Sequence, residues 1–253
     1  MLDRYICEKV EEKGLAIMAH IVCGYPSFEA NWQILEEMEA AGVDVVEMQF
    51  PFSEPIADGP LFLVANQDSI DQGTKVKECL ELMKRASEKF SFKILMMGYY
   101  NTVFMYGEEL FIKKLQDCGA VGLIVPDLPL EEATPLLAIC DTYKMAFIPL
   151  VAPTNTEERI KEVVEGARGF VYAVARVGVT GTKTKFTPES EAYLKFIKET
   201  SAVPLAVGFG ISEKSDLEYL KGKADIAVIG TAVLKAYINN GREGVKTFFQ
   251  SLK

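Results

Sequence analysis

Apolar residues along this chain follow two alternating rhythms. Short, nearly unbroken apolar runs of strand length occur at 16–22, 43–49, 93–98, 121–125, 147–151, 170–175, 204–207 and 226–229. Between them, apolar residues recur every three or four positions, the spacing that gathers them on one face of a helix. Phe28, Trp32, Leu35 and Met38 share such a face behind Ser27, a helix-capping residue type. Further helices are expected over 107–117, 131–141, 157–165 and 188–199. Thr187-Pro188-Glu189 is a strong start signal, with a capping hydroxyl, a proline at the first helical position and an acid in the first turn. Eight strands alternating with helices predict parallel pairing, and apolar runs suit strands covered on both faces. The order fits a closed eight-stranded α/β barrel. An open doubly wound sheet is the other arrangement that periodicity alone permits.

At 253 residues and 49% hydrophobic, the chain can bury a large core. No linker or low-complexity run divides it, so residues 1–253 read as a single domain. The longest apolar runs are too short to span a membrane. Met1-Leu2-Asp3-Arg4 lacks the apolar centre of a signal peptide, which points to the cytoplasm. Five cysteines, at 7, 23, 79, 118 and 140, form no CxxC pair and read as reduced structural residues. A formal charge of −9 argues against nucleic acid as a partner. It still allows an anionic substrate, because backbone N–H groups and helix ends can hold phosphate.

In a barrel, active sites lie at the C-terminal ends of the strands. Glu47, Asp58, Tyr99, Asp127, Tyr172, Arg176, Gly210, Gly230 and Thr231 all fall there. A carboxylate ending a buried strand must be compensated or used, because an unpaired buried charge is costly. Asp58 follows Glu47 by eleven residues, in a loop bounded by Pro51 and Pro60. Two such acids in different surroundings can divide acid and base work; a solvated loop with an ordinary Asp-Gly turn is the plainer alternative. Gly208-Phe209-Gly210 and Gly230-Thr231 follow the last two strands, where barrels often bind phosphate. The long, basic, Gly- and Thr-rich segment 176–186 reads as a lid. A single histidine, His20, rules out a His-rich metal site. No lysine stands near the end of run 170–175 for a Schiff base, and no Gly-x-Ser-x-Gly elbow occurs. Two carboxylates above a phosphate site suit acid–base cleavage of a carbon–carbon bond.

Glu47-Met48-Gln49-Phe50-Pro51-Phe52-Ser53-Glu54-Pro55-Ile56-Ala57-Asp58-Gly59-Pro60 resembles the signature of the tryptophan synthase α subunit family. Tyr99-Tyr100-Asn101, Val125-Pro126-Asp127-Leu128-Pro129, Ala152-Pro153-Thr154, Arg176-Val177-Gly178-Val179-Thr180-Gly181, Gly208-Phe209-Gly210-Ile211 and Ile229-Gly230-Thr231-Ala232 follow in the family's order. The resemblance runs from about Gly14 to the C-terminus. It implies a single (β/α)8 TIM barrel with short extra helices at the N-terminus and after strand eight. It also implies a lyase that splits indole-3-glycerol phosphate into indole and glyceraldehyde 3-phosphate in tryptophan biosynthesis. On that resemblance Glu47 and Asp58 are catalytic, and Tyr99, Tyr172, Thr180, Gly181, Phe209, Gly210, Gly230 and Thr231 bind substrate or its phosphate. Thr180 would bond Asp58, and Met97, Ile124 and Leu150 would join Tyr99 and Phe209 around the ring. No metal or cofactor is implied in this chain; pyridoxal phosphate is expected only in a separate β subunit, in an α2β2 assembly. A stand-alone lyase and a mainly regulatory subunit are the alternatives.

The chain also departs from the family's pattern. Met48-Gln49-Phe50 stands where the family usually carries a central Gly, and Glu54 where it carries Asp. His20 and Val22 replace an aromatic residue and Thr. His20 is expected to be a satisfied core residue; facing the ring slot, it would add a titratable group there.

Overall fold

A computed structural model describes residues 1–174, 187–208 and 210–253. Its strands are β1 (Ala16–Val22), β2 (Val45–Gln49), β3 (Lys93–Met97), β4 (Ala120–Ile124), β5 (Ala146–Ile148), β6 (Leu150–Val151), β7 (Val171–Val174), β8 (Leu205–Gly208) and β9 (Ile226–Ile229). The helices are α1 (Leu2–Lys13), α2 (Phe28–Ala41), α3 (Pro60–Asp71), α4 (Val76–Lys89), α5 (Tyr100–Tyr106), α6 (Glu108–Asp117), α7 (Thr134–Thr142), α8 (Glu157–Glu165), α9 (Pro188–Thr200), α10 (Lys214–Leu220) and α11 (Thr231–Ser251).

All these strands pair in parallel, in the order β5-β4-β3-β2-β1-β9-β8-β7-β6. The two ends of that order meet at Pro149. Proline has no N–H for a ladder bond, so the expected strand 147–151 divides there. Its first half pairs with β4 and its second with β7. One covalent strand therefore joins both edges and closes an eight-stranded barrel.

Alternation along each strand sorts side chains into two layers. Ala16, Met18, Val45, Leu95, Ile148, Phe170, Ala206, Ile226 and Val228 pack inside the barrel, with Leu2 and Ile6 of α1 closing its lower end. Ala19, Ile21, Val46, Met48, Ile94, Met96 and Leu123 point outward, into the layer beneath the helices.

Helix starts follow their caps. Ser27 Oγ accepts from Ala30 N at 3.0 Å, and Thr187 Oγ1 accepts from Ser190 N at 3.3 Å. Helix α7 begins at Thr134, three residues after the expected start, because Pro135 fits only the first turn and residues before it form turns. The expected extra helix after the last strand exists as the first part of α11. The chain breaks at Asn240 and Gly241, where Gly241 takes φ 56°, and then resumes as the last barrel helix.

Candidate active site

The alternation that packs Met18 and Val45 inside the barrel also turns their neighbours two and four residues on toward its upper interior. On β1 that neighbour is His20; on β2 they are Glu47 and Gln49. His20 lies opposite Glu47 in the ladder, and Val22 lies opposite Gln49. Glu47 is 2% exposed, and its Oε2 has no hydrogen-bond partner among the described residues. Its Oε1 lies 4.0 Å from His20 Nδ1, too far for a formed hydrogen bond. Burial, reinforced by the charge of Asp58, pushes the Glu47 carboxyl up to about 8. Burial likewise drives His20 down to about 3, against a small opposing effect of Gln49. At neutral pH the two are therefore a carboxylic acid beside a neutral imidazole, and the contact is not an ion pair. The His20 ring stacks on Phe62 with centroids 4.4 Å apart.

Asp58 reaches the same space from the loop between β2 and α3. Asn66, fully buried on α3, accepts from Phe52 N at 3.0 Å and donates to Phe62 O at 2.8 Å, anchoring the start of the loop. Near the end of the loop, Tyr99 OH accepts from Ala57 N at 3.1 Å and donates to Asp58 Oδ2 at 3.2 Å. Gln49 Nε2 donates to the same Oδ2 at 2.6 Å. Burial pushes Asp58 up to about 6, while the donors Gln49 and Tyr99 hold it back. Tyr99 stacks on Phe52 at 5.0 Å, and burial beside Asp58 keeps its phenol neutral. Tyr172 enters from β7. Burial, with the charges of Glu47 and Asp58, pushes its phenol well up. A Cβ on Gly208 would lie 2.9 Å from the Tyr172 ring, so any larger residue at the end of β8 would push that ring from its place.

The neighbouring strands β8 and β9 lead to Gly210 and Gly230. Gly210 takes φ 67°, a left-handed conformation suited to glycine. Gly230 caps α11, and its carbonyl accepts from Val233 N at 3.1 Å. A Cβ there would stand 3.2 Å from Phe62. Thr231 opens the helix, whose first N–H groups point where an anion can meet them.

Residues 7–251 match the family model described as tryptophan synthase alpha chain. The chain belongs to the tryptophan synthase α chain family. It is 45% identical over 252 residues to the tryptophan synthase alpha chain of Desulforapulum autotrophicum, covering 100% of both chains. It is 44% identical to that of Desulfotalea psychrophila, covering 100% of this chain and 99% of the relative. Among solved structures it is similar to Mycobacterium tuberculosis tryptophan synthase, with a TM-score of 0.92 and 28% identity over 99% of this chain and 96% of the other. The family is that of the α lyase subunit of tryptophan biosynthesis, which cleaves indole-3-glycerol phosphate.

The family fold brings Glu47, Asp58, Tyr99 and Tyr172 together. Met97 and Ile124 pack with Tyr99 in the barrel interior, and Leu150 packs against them. Thr180, Gly181, Phe209 and the expected lid 176–186 lie outside the described residues. Asp127 serves the fold: its Oδ1 accepts from Tyr100 N at 2.9 Å and caps α5. His20 is buried as a core residue would be, but its Nε2 makes no well-formed hydrogen bond among the described residues. Gln49 sits inside the site, and its parity with Glu47 is the signal the sequence offers for it. Asn66 offers none, because an Asn in a helix of mixed polarity gives no sign of the backbone it will hold.

Proposed function

We propose that this chain performs the lyase step with Glu47 as proton donor and acceptor at carbon and Asp58 as base at the ring nitrogen. The observation that carries this reading is the unlike state of the two acids, with Glu47 pushed to about 8 and Asp58 to about 6. Between those values Glu47 holds a proton and Asp58 does not. Glu47 protonates indole C3 while Asp58 takes the N–H proton, giving an indolenine. Glu47, now a carboxylate, takes the proton of the adjacent glycerol hydroxyl. The carbonyl forms as the C3–carbon bond breaks, and the electron pair returns through the ring to the nitrogen, which recovers its proton from Asp58. Indole and glyceraldehyde 3-phosphate leave with atoms and charges balanced. Tyr172 and Tyr99 border the ring, and the turns at Gly210, Gly230 and Thr231 hold the phosphate through backbone N–H groups. Thr180 and Gly181 join from the segment 176–186. This route asks for no metal or cofactor in this chain.

We infer further that the chain acts as one barrel domain in the cytoplasm, with a separate β subunit that receives the indole. Among the described residues no helix is long and apolar enough to cross a membrane. The partner reading is supported by apolar side chains at the upper end of β2 and β3: Ile56 is 75% exposed, and Phe104 and Met105 of α5 are exposed as well. Lyase activity of the purified chain, with and without β, tests the whole. Glu47→Gln and Asp58→Asn should each lose on the order of 10²-fold or more in kcat while remaining folded. Two folded variants with near-normal turnover would refute the assignment.

A further inference from the structure

Gln49 is the least expected group in the barrel interior. It is 0% exposed, and a buried amide lowers stability unless its hydrogen-bonding groups are met. Yet among the described residues its Oε1 has no well-formed partner, and neither does the neighbouring His20 Nε2. An apolar residue of the same size would serve the fold better. Among the described residues, the one short bond the Gln49 side chain makes is the donation from Nε2 to Asp58 Oδ2 at 2.6 Å.

The geometry of that bond is selective. Tyr99 OH donates to the same oxygen. Among the described residues no hydrogen bond reaches Asp58 Oδ1, so both of these donors hold the same side of the carboxylate. Among the described residues, the backbone at Asp58 is held by Ala57 N to Tyr99 OH and by Asp58 N to Pro55 O. Of these anchors, Gln49 alone rises from the barrel strand carrying Glu47. It therefore fixes one acid relative to the other. The chemical type also matters. A lysine or arginine here would form an ion pair and strip Asp58 of its basicity, whereas a neutral amide orients the carboxylate and leaves it able to accept a proton.

We propose that Gln49 is a positioning residue, holding Asp58 by Oδ2 so that Oδ1 faces the ring N–H of the substrate. This rests on the lyase reading given above. The titratable groups facing Asp58 among the described residues are Glu47 on β2, Tyr99 beside β3 and Tyr172 on β7, with His20 on β1 facing Glu47. None is altered by the test.

The test uses the full chain and Gln49→Met, which keeps length and removes the donor. Lyase kcat and KM are measured from pH 5 to 9, and the Asp58 carboxyl is titrated by carbon-13 NMR, assigned with Asp58→Asn. We expect an unchanged or higher melting temperature and a kcat lower by about tenfold with KM little changed, the pattern of a misplaced catalytic group. The acidic limb of the profile and the Asp58 titration should both move up by about one pH unit, as loss of a charge-assisted donor requires. Gln49→Ala gives the same comparison if Gln49→Met does not fold. An active parent with kcat, acidic limb and NMR titration all unmoved in the variant overturns the role of Gln49 alone. A parent that does not cleave indole-3-glycerol phosphate overturns the lyase reading itself.

Discussion

Glu47 should weaken the fold it belongs to, and increasingly so as pH rises. In the unfolded chain its carboxyl titrates at its ordinary value of 4.5; in the barrel it is pushed up to about 8. A group whose folded value is raised adds stability that is fully present below its unfolded value and is lost as pH rises toward the folded one. At about 1.4 kcal/mol per pH unit, the loss from this one residue reaches about 1 kcal/mol at pH 5, about 3 kcal/mol at pH 7 and about 5 kcal/mol at pH 9. Against a usual domain stability of about 5–15 kcal/mol, that is a large fraction. Glu47→Gln keeps the shape and removes the titration. Its amide, buried where Oε2 finds no partner among the described residues, costs about 1–3 kcal/mol, but that cost is constant with pH. Asp58 titrates in both proteins, so its part largely cancels in the difference. Urea unfolding at pH 5, 7 and 9 and constant ionic strength measures the effect. The stability of Glu47→Gln relative to the parent should rise by about 4 kcal/mol from pH 5 to pH 9. Curves that run parallel across that range would show that Glu47 titrates normally, and the argument for a stored proton would fall with it.

Gly230→Val should raise the substrate KM by about tenfold or more with a smaller change in kcat, since branched carbons would crowd Phe62, 3.2 Å from the ideal Cβ, and the helix end expected to hold phosphate. An unchanged KM would move the phosphate elsewhere. Met105→Glu should leave the lyase rate of the isolated chain unchanged and reduce its stimulation by β, because Met105 is 74% exposed on α5. Equal stimulation of both proteins would remove α5 from the interface.

Much of this arrangement is legible in residue order. The strand runs, the caps at Ser27 and Thr187, and the gathering of Glu47, Asp58, Tyr99 and Tyr172 at strand ends follow from local pattern and one topological rule. Closure is not legible in periodicity and comes only with the family motifs. A parallel strand buried on both faces reads the same in an open sheet and a barrel, and only the pairing of β1 with β9 and the shared strand at Pro149 separate them. The late start of α7 is hidden because Glu131 and Glu132 look like first-turn acids. Glu131 instead pairs with Arg159, and Pro135 fixes the start. The polar floor of the site is hidden for another reason. His20 and Gln49 lie in runs so apolar that periodicity gives them no face, and only their register with Glu47 turns them inward.

The two acids differ by about two pH units although both are buried; the deeper burial of Glu47, the charge of Asp58 on it and the donors to Asp58 all widen the gap. Burial disfavours the charge on each. Asp58 receives two donors on one oxygen, from Gln49 and Tyr99, while Glu47 Oε2 receives none among the described residues. A hydrogen bond to a charged group contributes about 1.5–3 kcal/mol, or roughly one to two pH units. Two donors sharing a single oxygen, one of them at 3.2 Å, fit that range. Once Asp58 is ionised, its charge raises Glu47 further, so the pair holds one negative charge across the neutral range. On the proposed mechanism, the single charge then rests where a ring nitrogen must lose its proton, and the single proton where a carbon must gain one. That division follows from which carboxylate the barrel buries deeper and which it supplies with donors, with no help from a cation among the groups that shift either acid.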